Sequence, residues 1–243
     1  MNYLELPIFA TGETMKIGIK ENLETVESDF QDISVIDTFD YGRCLVIDGI
    51  VQTSETDHDL YDRTILRRLS EKDKHILILG GGDGYVAQMA LDINPNVKIT
   101  IVDLDIEVIK TCQKNLNQKV FAHPNVRLVV GDAFHFMKTY EKLHEEKFDG
   151  IICDLTDNPV GGNGNEEKFK DFYSKIFKFS KSILKDSGWI SVQAGSSESI
   201  EKYVHSAKIL FNLLTENFKN VSKEDILIPS FGEDCAFLFG KKG

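Results

Sequence analysis

Residues 77–88, LILGGGDGYVAQ, decide the fold. An apolar run, a set of glycines and then a helical spacing make a strand, a tight turn and a helix. Glycines after such a strand usually receive the negative phosphate or carboxylate of a ligand. This turn carries a carboxylate of its own, Asp83, which raises the question of what ligand would want a negative charge there.

Outward from that turn, strands and helices alternate from His75 onward. The runs HILIL, VKITIVD, VRLVV, FDGIICD and WISVQ read as strands. The segments YVAQMAL, IEVIKTCQKNL, AFHFMKTY, KFKDFYSKIFKFSKSIL and ESIEKYVHSAKILFNLL have helical periodicity. The alternation predicts an α/β fold with a mostly parallel sheet covered by helices on both faces. DILIPSFGEDCAFLFG has no helix between its two apolar runs, so it predicts a closing antiparallel pair. Before His75 the rhythm differs. MKIGIK, DISVIDTF, GRCLVIDG and IVQT are short, strand-like and separated by turn residues, as in a small antiparallel sheet. Glu55 to Leu69 has helical spacing, with a threonine and an aspartate to cap it. The expected domains are therefore 1–54, antiparallel β, and 55–243, the α/β unit. NPVGGNGNEEK, a Gly- and Asn-rich stretch, reads as a loop that could close over a site.

Composition narrows the function. With 243 residues, 42% of them hydrophobic, the chain can bury a substantial core. A net charge of −11 argues against nucleic acid as a partner. Cys44, Cys112, Cys153 and Cys235 form no CxxC pair or zinc-like spacing, so no metal site is expected. Cys153, inside an apolar run, reads as a buried free thiol, and the expected compartment is the reducing cytoplasm. No secretion signal or membrane-length apolar run is present in the sequence.

In open α/β sheets, ligands bind beyond the carboxyl ends of the strands. Asp83, Asp103, Asp132 and Asp154 all fall at such ends. Asp103 could accept hydrogen bonds from ribose hydroxyls, and Asp132 could reach the exocyclic amine of adenine. Aspartate at these places also commonly caps the following helix. Four in succession point to a nucleoside. Gly82, Gly84 and Ala87 fit G-x-G-x-x-A by letter, but a dinucleotide pyrophosphate would approach Asp83. Like charges about 4 Å apart cost roughly 4 kcal/mol at an effective dielectric near 20. The carboxylate of S-adenosylmethionine meets a similar objection. Without that carboxylate there remain adenosine, a sulfonium and an aminopropyl ammonium that Asp83 could bind.

At this point the sequence resembles the aminopropyltransferase family, the spermidine and spermine synthases, from about Asp29 onward. SDFQDI resembles its Y-Q-D-I segment, and YGRCLVIDGIVQTSETDHDLY its G-x-x-L-x-L-D-G-x-x-Q-x-x-E-x-D-E-x-x-Y signature. LILGGGDG matches G-G-G-D-G, VDLD resembles E-I-D, VGDA matches G-D-A/G, and DLTDNPVG resembles D-S-S-D-P-x-G. The resemblance implies a small N-terminal β domain before a Rossmann-like, methyltransferase-type sheet, and a homodimer or homotetramer. It implies decarboxylated S-adenosylmethionine as co-substrate, with no prosthetic group. It places Gln31, Gln52, Gly80, Gly81, Gly82, Asp83, Asp103, Asp132 and Ala133 around that donor. Asp154 would accept the proton, Tyr61 would orient the amine, and Asp157 would hold part of the acceptor chain. Glu233 would take the distal ammonium, with Asp62 and Gln193 also at the acceptor.

Departures from the family pattern bear on the acceptor. Tyr85 and AQM follow the glycine motif where the family usually has Gly and an L-R-E-like run. YDRTIL, DLTD and IPSFGEDCAF resemble the spermine synthases' Y-T-R-A-I, D-L-T and P-S-Y-x-E. They favour spermidine as acceptor, giving spermine or thermospermine, with putrescine, giving spermidine, close behind. Two rivals stay open: an S-adenosylmethionine-dependent small-molecule methyltransferase and a non-catalytic polyamine-binding protein.

Overall fold

The computed structural model describes residues 2–143, 146–155, 166–201 and 203–243. Two sheets organise them. The first is a meander of five antiparallel strands in chain order: β1 (Asn2–Pro7), β2 (Thr14–Glu27), β3 (Asp32–Thr38), β4 (Gly42–Ile47) and β5 (Ile50–Ser54). Side chains on a strand alternate between faces, and the burial follows that period. Ile33, Val35, Leu45 and Ile47 form one apolar face, while Ile36, Cys44 and Val46 join Leu6, Ile17 and Val51 on the other. Asp48 and Gly49, both with positive φ, make the two-residue hairpin turn between β4 and β5.

The second sheet has seven strands: β6 (His75–Gly80), β7 (Lys98–Asp103), β8 (Val126–Val130), β9 (Phe148–Asp154), β10 (Leu184–Ser196), β11 (Lys219–Ile228) and β12 (Glu233–Lys241). Their spatial order is β11-β12-β10-β9-β6-β7-β8, parallel from β10 to β8 and antiparallel at the β12 and β11 side. The sheet is buried on both faces, so its strands are apolar at nearly every position. Leu77, Leu79, Ile151 and Cys153 face one core, and Ile76, Ile78 and Ile152 the other.

Helices α4 (Ala133–Leu143), α5 (Glu166–Ile183) and α6 (Ser206–Asn217) cover the first of those cores. The second is covered by α1 (His58–Ile65) and α2 (Tyr85–Ile93). Helix α3 (Ile106–Asn115) sets Val108 and Cys112 against the Ile33 face, which seats the first sheet on the second. Lys114 pairs with Glu24 at 2.6 Å, and Arg43 donates to the Asn115 carbonyl, at the same junction.

The α/β class, the antiparallel N-terminal sheet and the closing antiparallel pair are as the sequence predicts. Two helices differ. The expected helix from Glu198 begins only at Ser206. Ahead of it the Ile200 N–H donates to the Phe9 carbonyl at 3.0 Å and Tyr203 packs edge-on against Phe9, so contact with the β1–β2 turn overrides helical propensity. The helix expected over 55–69 is trimmed to α1. Asp57 stands at its N-cap but makes no capping bond with its side chain. All four cysteines are buried free thiols. Among the described residues, no helix is long and apolar enough to cross a membrane.

Candidate active site

The strand order reverses at β6, which lies between β7 and β9, and a crevice opens there beyond the carboxyl ends. Gly80 and Asp154 are register partners across β6 and β9. Gly80 has φ +82°, and a Cβ added to it would stand 1.9 Å from the Asp154 carbonyl oxygen, so this approach requires glycine. Gly82 also leaves little room, for a Cβ there would lie 2.6 Å from a carboxylate oxygen of Asp103.

The crevice is a cavity of about 480 Å³. Around it stand Gln31, Gln52, Tyr61, Gly80, Gly81, Gly82, Asp83, Asp103, Asp132, Ala133, Asp154, Gln193 and Glu233, expected from sequence to form one site. Among the described residues, eight acidic side chains line it, those five plus Asp48, Asp105 and Asp234, and no Lys, Arg or His does.

Five of these acids, those expected from sequence, have specific partners. Asp83 Oδ1 accepts from the Tyr85 N–H at 2.9 Å, at the start of α2. Its acidity is strongly weakened, first by burial and then by repulsion from Asp154, Asp62 and Asp103. Asp103 accepts from the Asp105 N–H at 2.9 Å, and burial again raises its pKa. Asp132 accepts from the His135 N–H at 2.7 Å, so it caps α4 while lining the cavity. The Tyr61 hydroxyl donates to Asp154 Oδ1 at 2.5 Å, joining α1 to the tip of β9. Glu233 Oε2 accepts from the Ala10 N–H at 3.0 Å and the Ser196 hydroxyl at 2.9 Å.

Asp62 departs from expectation. It does not line the cavity; it is 2% exposed and bonds His58 Nδ1 at 2.8 Å on its own helix. One residue past Tyr61, it is turned about 100° around α1 and so faces the interior. Burial pushes its pKa up to about 6. The His58 ring in turn stacks on Tyr85, with centroids 3.8 Å apart. Asp157 and the Gly161–Gly164 loop lie outside the described residues.

Other lining residues were not anticipated. Asp105 caps α3 and receives Gln31 Nε2 at 3.1 Å and the Ser28 hydroxyl at 2.6 Å. A second acid two residues beyond Asp103 was the available signal. Leu6, Pro7 and Phe9 wall the cavity from the first hairpin, which carries no motif. Phe231, in the β11–β12 turn, stands edge-on to Tyr61 with centroids 6.2 Å apart.

Comparisons with known proteins agree with this architecture. Residues 61–242 match the model of the spermine/spermidine synthase domain, and residues 7–55 that of the spermidine synthase tetramerisation domain. A protein of Sulfolobus acidocaldarius named polyamine aminopropyltransferase is 32% identical over 229 residues, covering 91% of this chain and 72% of that protein. The thermospermine synthase ACAULIS5 of Arabidopsis thaliana is 32% identical over 216 residues, covering 87% of this chain and 61% of its own. The crystal structure of the spermidine synthase from Thermotoga maritima superposes with a TM-score of 0.82 at 21% identity, covering all of this chain and 80% of that one. A spermidine synthase in complex with the transition state analogue AdoDATO gives 0.81 at 24% identity, with the same coverage of both chains. Those two likenesses show the fold; the family models and the relatives show that the chain belongs to the spermine/spermidine synthases, a family of aminopropyl-transferring enzymes.

Proposed function

We propose that this chain moves the aminopropyl group of decarboxylated S-adenosylmethionine to spermidine, giving spermine or thermospermine and releasing methylthioadenosine. The observation that carries this is the cavity wall, with eight acidic residues and no basic one among the described residues. A site so charged favours a ligand with several positive groups and no anion. The donor contributes a sulfonium and an ammonium, and the acceptor contributes further ammonium groups.

The chemistry needs little from the protein. The acceptor nitrogen attacks the propyl carbon on sulfur, the C–S bond breaks, and its electron pair leaves with methylthioadenosine as a neutral thioether. Sulfonium already activates that carbon. The demand is a neutral amine, and an alkylamine with a pKa near 10.4 costs about 4 to 5 kcal/mol to deprotonate at pH 7. Asp154 takes that proton, and the Tyr61 hydroxyl on its Oδ1 fixes the carboxylate beside the amine. Asp83 holds the donor's ammonium, Asp103 its ribose and Asp132 its base. Gln31, Gln52, Gly80, Gly81, Gly82 and Ala133 complete the donor end. Glu233 and Gln193 receive the far part of the acceptor, and Asp157, outside the described residues, is assigned to the acceptor by the family motif alone. The active form is a homodimer or homotetramer built on the first sheet, consistent with its match to a tetramerisation domain.

Two measurements test this. The purified protein is given decarboxylated S-adenosylmethionine with putrescine, cadaverine, agmatine and spermidine together, and the products are identified. Spermidine should be consumed first; putrescine consumed first would replace the acceptor assignment. Calorimetry should show the decarboxylated donor bound more tightly than intact S-adenosylmethionine, and the opposite order would favour a methyltransferase.

A further inference from the structure

The carboxylate of Asp57 does not cap its own helix, and it is 9% exposed. Three hydroxyl or amide donors converge on it instead. The Ser54 hydroxyl reaches Oδ1 at 2.6 Å, the Ser230 hydroxyl reaches the same oxygen at 3.0 Å, and the Ser230 N–H reaches Oδ2 at 2.7 Å. Ser230 is fully buried, so these bonds have no water to replace them. One side chain thereby ties three pieces together: the last residue of β5, the first turn of α1 and the turn between β11 and β12.

Those pieces carry opposite walls of the cavity. Tyr61 lies one helical turn after Asp57 and donates to Asp154. Phe231 and Glu233 follow Ser230 by one and three residues, and both line the cavity. We propose that Asp57 is a positioning residue for the acceptor: by clamping the Ser230 turn to the start of α1, it sets the span from Tyr61 to Phe231 and Glu233. It touches no reacting atom. The donor end, built on Asp83, Asp103 and Asp132 at the tips of parallel strands, does not depend on this clamp. This inference rests on the assignment of Tyr61 and Glu233 to the acceptor end.

The experiment compares Asp57→Asn, Ser230→Ala and the double variant with the wild type. A carboxamide keeps the shape but sets an N–H₂ against one of three donors. Asp57→Asn should raise the acceptor KM about tenfold, the scale of one lost charge-assisted bond, while kcat changes less. Donor affinity by calorimetry should stay within about twofold. Ser230→Ala keeps the backbone bond and should give a smaller rise in the same direction. The double variant should be no worse than Asp57→Asn, because the two changes break one contact. An unchanged acceptor KM in folded Asp57→Asn, or equal losses at donor and acceptor, would overturn the clamp. Should Asp57→Asn fail to fold, Ser230→Ala decides on the same criteria. A wild type that transfers the group to no amine would instead overturn the reading of the site itself.

Discussion

Asp62 offers a quantitative test of the charge crowded behind the cavity. It is almost fully buried, bonded to His58, flanked by Asp59 and Arg63, and close enough to Asp83 to raise its pKa. Its own pKa rises from 3.8 to about 6, chiefly through burial. A carboxylic acid held above its usual value binds a proton more firmly in the folded chain than in the unfolded one. Stability is therefore greatest below that window and falls as pH rises through it. A rise of that size corresponds to roughly 3 kcal/mol, of which about 2 kcal/mol is lost between pH 4.5 and 7.5. Asp62→Asn removes the titration, and its amide oxygen can still accept from His58. Relief of Asp83 acts in the same direction. Urea denaturation of both proteins at pH 4.5, 6 and 7.5, at one protein concentration, should show the stability difference moving about 2 kcal/mol in the variant's favour. A difference independent of pH, or one moving towards the wild type as pH rises, refutes the burial argument.

Three further predictions follow the geometry. Asp154→Asn should lower turnover by about two decades while leaving donor binding intact, checked by single-turnover kinetics and calorimetry; near-normal turnover would remove Asp154 as the proton acceptor. Glu233→Gln should weaken spermidine more than putrescine in steady-state kinetics, and an equal loss would count against a distal ammonium there. Gly80→Ala sets a Cβ against the Asp154 carbonyl at a positive φ, so it should cost at least about 3 kcal/mol by chemical denaturation. A stability near the wild type's would show that the β6–β9 contact yields easily.

Much of the parallel sheet could be read directly from sequence because strands buried on both faces are unbroken apolar runs, as in FDGIICD. Asp103 and Asp154 were equally legible, since each is the last residue of its strand, and Asp83 and Asp132 follow in the short turns beyond β6 and β8. What could not be read was anything decided by partners far apart in the chain. Tyr61 enters the cavity to bond Asp154, 93 residues further along the chain. Asp57 has the sequence position of a helix cap, but a serine 173 residues away claims its carboxylate. The stretch from Glu198 has helical spacing, yet Ile200 and Tyr203 turn to Phe9 instead.

The seven-stranded sheet has a consequence for how such a protein could diversify. On the proposed reading the nucleoside end is built on parallel strands, of which β6 and β9 lie in the middle of the sheet between both cores. The other end of that reading hangs on an antiparallel hairpin at the flank, β11 to β12, whose turn carries Phe231 and whose second strand opens with Glu233. With the acceptor placed there as proposed, exchanging those few residues would alter the shape and charge offered to an amine without moving a glycine or an aspartate at the parallel strands' ends. The two ends can thus be tuned separately, like a fixed grip and a changeable jaw.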